Sequence, residues 1–155
     1  MRREEPMHGG PIGPNDWLKA IPFEPAAWSD RLGWAGLEAL LFNDLPDAEI
    51  ERPPFTHHEL VLFNRPPDVF ELDYEGVRRH LPPPAGAVAV VPAGSSSRRQ
   101  WRGRVGSLHV FLEPDLVTRV AAEEFGLDTA RWAVPPLDFL ALPQLRPRCW
   151  RWRPS

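Results

Sequence analysis

Twenty of the 155 residues are proline, and they are spread along the whole chain. Inside a helix each would remove a hydrogen bond and collide with the preceding turn, at a cost of about 3 kcal/mol. A helical bundle or coiled coil is therefore excluded. Between Ile50 and Leu112 the prolines punctuate short strand-like runs at the spacing of an all-β sandwich or barrel: His57 to Phe63, Asp68 to Tyr74, Gly76 to Leu81, Ala87 to Val91, Ser97 to Arg102 and Val105 to Leu112. The separators, such as Asn64-Arg65-Pro66-Pro67 and Pro92-Ala93-Gly94-Ser95-Ser96, hold helix breakers or residues that tolerate positive φ. Alternation puts Phe70, Leu72 and Tyr74 on one face of their run, and opposes Leu108, Val110 and Leu112 to Ser107, His109 and Phe111. The all-apolar Ala87 to Val91 reads as a strand covered on both faces.

One helix is clearly marked. Pro114 suits its first position, Asp115 its N-terminal dipole and Gly126 its C-terminal cap, while Leu116, Val117, Val120, Ala121 and Phe125 form an apolar stripe to lay on the sheet. Residues 1–16, with Gly9-Gly10-Pro11 and Gly13-Pro14, read as a flexible leader, and 135–155 as a Pro/Arg/Trp-rich tail. That leaves 17–134 as one domain, which suits the length. Trp17 to Leu41 is ambiguous between helix and strand, its stretch Ala35 to Leu41 having helical propensity interrupted by Gly36. Trp17, Trp28 and Trp34 are expected to cover an open end of the barrel.

Charge and cysteine content narrow the function classes. A net charge of −3 does not announce a nucleic-acid coat or a lipid-surface binder. Cys149 is the only cysteine, so an internal disulfide and a cysteine zinc site are excluded and a cytoplasmic setting is expected. No apolar run is long enough for a signal peptide or membrane span.

The order of signals resembles the N-terminal sensor half of AraC-type transcription regulators. The resemblance runs from Asp30-Arg31-Leu32-Gly33-Trp34 through His57-His58-Glu59-Leu60-Val61-Leu62 and Pro92-Ala93-Gly94. It continues through Leu108-His109-Val110-Phe111-Leu112 and Ala121-Ala122-Glu123 to Leu142-Pro143-Gln144-Leu145-Arg146. It implies a mainly β fold, a cupin-like β-barrel or jelly roll with one C-terminal amphipathic helix packed outside. It also implies a non-enzymatic role: binding a small-molecule effector and pairing as a homodimer or as a heterodimer with an intact regulator. The family's DNA-binding half would have to follow Arg146, where nine residues remain, so sequence-specific DNA binding is not carried over. The prolines after Pro135 likewise break the family's dimer helices.

The tail itself, Arg148-Cys149-Trp150-Arg151-Trp152-Arg153-Pro154, departs abruptly from that pattern. In a GC-rich gene, its codons read one base earlier would spell Met-Leu-Ala-Val-Ala, a continuation of a dimer helix. The expectation is a truncated or frameshifted regulator, which the DNA beyond Ser155 tests. The rival reading is an interaction module whose basic-aromatic tail meets a membrane surface or nucleic acid.

His57, His58, His80 and His109 raise the question of a metal, because cupins often hold one. The metal-binding pattern needs a His-x-His pair, a glutamate several residues on, and a histidine three residues after the Pro-x-Gly glycine. Here His57 and His58 point to opposite faces, Glu59 lies too close, and Ser97 replaces the last histidine. No metal or other cofactor is expected, and a small cupin enzyme with a metal centre is the alternative. Gly94-Ser95-Ser96-Ser97-Arg98-Arg99 lacks the lysine and helix of a P-loop and reads as a hairpin connection with solvated arginines. No serine sits in a nucleophile elbow. An effector would lie in the barrel interior, with His58, Arg79, Trp101, His109 and Phe111 as candidate liners, since they bring polar or aromatic groups into otherwise apolar strands.

Overall fold

The computed structural model describes residues 10–74, 76–80 and 83–141; the side chains of Val77, Arg79 and residues 137–141 lie outside that description. Among these residues ten strands form two antiparallel sheets. The larger contains β1 (Ala27–Trp28), β2 (Leu37–Leu45), β4 (His58–Arg65), β7 (Ala87–Val91), β9 (Val105–Leu112) and β10 (Leu137–Ala141) in the order β1-β2-β9-β4-β7-β10. The smaller contains β3 (Ala48–Arg52), β5 (Val69–Tyr74), β6 (Val77–His80) and β8 (Ser97–Arg102) in the order β3-β8-β5-β6. The chain crosses between the sheets at almost every step from β2 to β9, which is the double Greek key of a jelly roll. No ladder joins the two sheets among the described residues, so the expected barrel is an open sandwich. Its inner faces are buried by facing each other, and the extra strands β1 and β10 lengthen the larger sheet instead of closing it.

Period-2 alternation decides what goes inside. On β4 the buried residues are Glu59, Val61 and Phe63; on β9 they are Val105, Ser107, His109 and Phe111, with Gly106 beside them. β5 and β8 turn Phe70, Leu72, Ser97 and Trp101 to the same interior. Two apolar clusters result. One is built on Val61, Phe63, Phe70, Leu72, Ala89, Trp101 and Val105, the other on Trp17, Leu40, Phe42, Phe55 and Phe111. Each fully buried aromatic contributes roughly 1.5–3 kcal/mol. β7 is covered on both faces, as its all-apolar sequence requires.

The ambiguous Ala35 to Leu41 stretch runs into β2, where pairing to β1 on one side and β9 on the other overrides helical propensity. Gly36 makes this entry possible. Its φ is +73°, and a Cβ there would meet Leu116 at 3.3 Å. Its carbonyl accepts from Glu113 N–H at 2.9 Å, so the start of α2 (Pro114–Phe125) is seated on the mouth of β2. The helix has the expected bounds, with Gly126 in the left-handed region as its cap. Its packing is narrower than its stripe: Ala121 is buried and Leu116 and Val117 are partly covered, while Val120 and Phe125 are exposed.

The expected boundary at residue 16 falls inside a helix, α1 (Pro14–Ala20). Ahead of it Ile12 bridges Phe55, with Ile12 N–H donating to Pro54 O and Thr56 N–H to Ile12 O, both at 3.0 Å. α1 then presses Trp17 into the core against Phe55 and Phe111. Of the three tryptophans expected to cover one end, Trp17 is buried and Trp28 packs beside it, but Trp34 is half exposed. At the other end, β10 occupies part of the expected tail. Residues 1–9 and 142–155, including the Arg/Trp-rich stretch, lie outside the described residues.

Candidate functional site

The interior is not uniformly apolar. Glu59 on β4 is fully buried, and four other polar side chains converge around it: Arg52 from β3, Arg99 from β8, and Ser107 and His109 from β9. Alternation puts them there. On β8 the residues Ser97, Arg99 and Trp101 share the inward face, while Arg98 points out and pairs with Glu49. The solvated-arginine reading therefore holds for Arg98 and fails for Arg99, whose neighbour Trp101 fixes the parity of the strand.

The geometry is that of one carboxylate shared among three partners. Arg99 approaches as a fork, with Nη1 at 3.3 Å from Glu59 Oε1 and Nη2 at 3.4 Å from Oε2. Arg52 contacts Oε2 through Nη1, and its guanidinium carbon stands 4.0 Å over the Phe55 ring. His109 Nδ1–H donates to Glu59 Oε1 at 2.8 Å, which leaves Nε2 to accept from the Ser107 hydroxyl at 3.0 Å. Aromatic rings wall in the imidazole: Phe42 at 5.5 Å, Trp17 at 5.9 Å and Phe111 at 6.3 Å.

Burial sets the protonation states. It pushes His109 well below its ordinary value, with the Arg99 and Arg52 charges acting in the same direction, so the imidazole is neutral at pH 7. Burial, followed by the charge of Arg99, pushes Arg52 down to about 8, and burial alone pushes Arg99 down to about 10. Both remain cations at neutral pH.

The sequence-predicted liners separate. His109 is at the centre, and Phe111 is its fully buried wall, stacked on Phe55 at 5.5 Å. Trp101 is interior, but its Nε1–H is committed to Pro46 O at 2.8 Å. His58 lies on the other face of β4 from Glu59, accepting Ala93 N–H on Nδ1 at 3.0 Å; it pins the Pro92-Ala93-Gly94 turn and does not line the interior. Arg79 lies opposite Leu72 in the β5–β6 ladder, and its side chain falls outside the described residues. Sequence reasoning missed Arg52, Glu59, Arg99 and Ser107.

Two chemistries can be tested against this geometry. Ser107, His109 and Glu59 stand in the order of a Ser-His-acid relay. However, Ser107 is buried, and burial, followed by the charges of Arg99 and Arg52, holds down the basicity of the imidazole, which runs against the needs of such a relay. A metal centre also does not fit. Among the described residues no three His, Cys, Asp or Glu side chains converge, and the positions facing Glu59 are filled by fixed organic cations that would repel an ion.

The strand order defines a jelly-roll domain, and the polar group lies between its two sheets. No protein-family model matches the chain, and no curated protein matches it significantly. Among solved structures, it is similar to a cupin protein from Bacteroides fragilis (15% identity, TM-score 0.44, 57% of this chain and 75% of that one). It is similar also to a Cupin 2 conserved barrel domain protein from Salinispora arenicola (21% identity, TM-score 0.42, 57% and 72%). A third is a Salmonella typhimurium protein provisionally named ethanolamine utilization protein Q (19% identity, TM-score 0.41), of which the chain covers 58% while half of its own length is matched. It is the strand order, rather than these partial superpositions, that makes the molecule a jelly roll. No helix among the described residues is long and apolar enough to cross a membrane.

Proposed function

We propose that the chain is a non-enzymatic sensor domain that takes a small-molecule effector between its two sheets, in the manner of the sensor half of an AraC-type regulator. The observation that supports it is the Arg52–Glu59–Arg99–His109 group, a built polar centre in the interior that has neither an accessible nucleophile nor a fit for a metal. Buried charge of this kind is costly, and replacing it with hydrocarbon is often neutral or stabilising by about 1–4 kcal/mol, so stability alone does not account for the group, and recognition is the role we assign to it. The output in such a regulator is pairing, with a second copy or with an intact regulator, and the setting is cytoplasmic.

The test is thermal denaturation of the purified full chain against a panel of small neutral and charged metabolites, alongside elemental analysis and ester hydrolysis. Saturable stabilisation by a panel member, with sedimentation velocity shifting on its addition, supports the reading. Stoichiometric iron, nickel, manganese or zinc, or hydrolysis abolished by Ser107→Ala, would replace it with an enzyme.

A further inference from the structure

Between the sheets, charge does not balance. Arg52 and Arg99 face one carboxylate, Glu59, and the neutral His109 adds nothing, so this group carries one more positive charge than negative. Beside that group lie buried donors without a hydrogen-bond partner among the described residues; Trp28 Nε1 and the acceptor Glu38 Oε2 are likewise unpartnered, on β1 and β2. Arg52 Nε and Nη2, Trp17 Nε1 and Ser97 Oγ are all buried and meet no acceptor among the described residues. They are neighbours: Arg52 and Ser97 are paired across β3 and β8, and Arg52 and Trp17 both pack on the Phe55 ring, at 4.0 and 5.8 Å. Unmet buried donors are costly, and a cluster containing only N–H and O–H groups calls for an acceptor.

We propose that this locus binds a small monocarboxylate with an apolar body, an inference that rests on reading the same centre as an effector site. A carboxylate is the two-oxygen acceptor that matches the free Nε–Nη2 edge of a guanidinium, with the Ser97 hydroxyl and Trp17 N–H completing its shell. The single excess charge selects a monoanion over phosphate, which would bring a second negative charge into the interior.

The apolar body has a place. A cleft of about 290 Å³ lies over β3 and α1, lined by Ile12, Trp17, Ile21, Ile50 and Pro53, with the exposed Glu49 and Glu51 on its rim. Ile50 and Pro53 bracket Arg52 in the chain. Trp17 faces the cleft and also lies 5.9 Å from His109, so it is the partition between cleft and charged centre.

The experiment is calorimetric titration of the full chain with benzoate, benzamide and inorganic phosphate at matched ionic strength. Benzoate is expected to bind saturably, and the isosteric neutral amide and phosphate are not. Ser97→Ala is expected to weaken benzoate about tenfold, from loss of one hydrogen bond to a charged group. Trp17→Phe, which keeps the packing, loses a further donor and acts likewise, and Arg52→Gln abolishes binding while leaving Arg99 and Glu59 as a balanced pair. If Arg52→Gln does not fold, the two milder variants carry the test. Binding of benzamide as tight as benzoate overturns the carboxylate but leaves the sensor reading standing. Phosphate binding in preference overturns the monoanion, and benzoate binding untouched by Ser97→Ala and Trp17→Phe overturns the locus. If neither these probes nor any member of the metabolite panel binds, both readings fall.

Discussion

Replacing Glu59 by glutamine isolates the energetics of the buried centre. The side chain keeps its size and one carbonyl acceptor, so the packing around this fully buried position is preserved. What changes is charge. Arg52 and Arg99 lose the carboxylate they share, His109 loses its anionic acceptor, and a new amide N–H is turned toward two guanidinium groups. Removing one partner of a buried pair costs about 3–5 kcal/mol, because the stranded charges stay out of water. Set against a total of roughly 5–15 kcal/mol for a domain, that is a large fraction. At about 2–4 °C per kcal/mol for a chain of this size, the midpoint falls by about 10 °C. Urea titration followed by circular dichroism measures the loss, and repeating it in 0.5 M salt should change the difference little, since buried pairs are weakly screened. The triple variant Arg52→Met, Glu59→Leu, Arg99→Met removes the whole group and should be as stable as the parent or more so. A Glu59→Gln loss below about 1 kcal/mol would falsify the account, because a solvated carboxylate would behave in that way.

Adjacent arginines should behave oppositely: Arg99→Ala costs about 2 kcal/mol by removing the charge-assisted fork on Glu59, which keeps Arg52 as its counter-ion, whereas Arg98→Ala, on the solvated face, leaves the unfolding midpoint unchanged. For His109 the folded value lies below the unfolded one, so the unfolded state binds the extra proton and stability falls as pH drops below about 6.5. The slope reaches at most about 1.4 kcal/mol per pH unit. Denaturant titrations from pH 7.5 to 5.5 should show this component and His109→Asn should lack it; His58, depressed by burial and by His57, adds in the same direction. Gly36→Ala combines a left-handed backbone with a Cβ 3.3 Å from Leu116, and should cost about 1–2 kcal/mol in the same assay. An unchanged midpoint would remove Gly36 from the seating of α2.

The strands from β4 to β9 were legible because they are short and separated by turns rich in proline or glycine, with clear alternation on β5 and β9, and α2 was legible because Pro114 and Gly126 mark its ends. β2 and β3 were not. Ala35 to Leu41 lacks β-branched residues, and only its neighbours β1 and β9 make it a strand. β3 alternates glutamate with apolar residues over a short span ending in Arg52, and nothing local shows that this arginine turns inward. The site was half visible. His109 was found as a polar residue on an apolar strand, and the same parity applied to β4 and β8 would have found Glu59 and Arg99. A buried arginine or glutamate is rare enough that alternation is easily overruled by expectation. Ile12 and Trp17 were hidden by the glycines and prolines around them, because docking of that segment depends on Phe55, some 40 residues away.

The charged group is also the place where the two leaves of the sandwich meet through something other than hydrocarbon. Hydrophobic attraction weakens on cooling, and the penalty for stripping water from ions grows as temperature falls. In a purely apolar sandwich only the first effect operates; here both act on the same interface. Chilling is therefore the condition under which Arg52, Arg99 and Glu59 are most readily drawn back to water, and the gap between the sheets is where the molecule would first part in the cold.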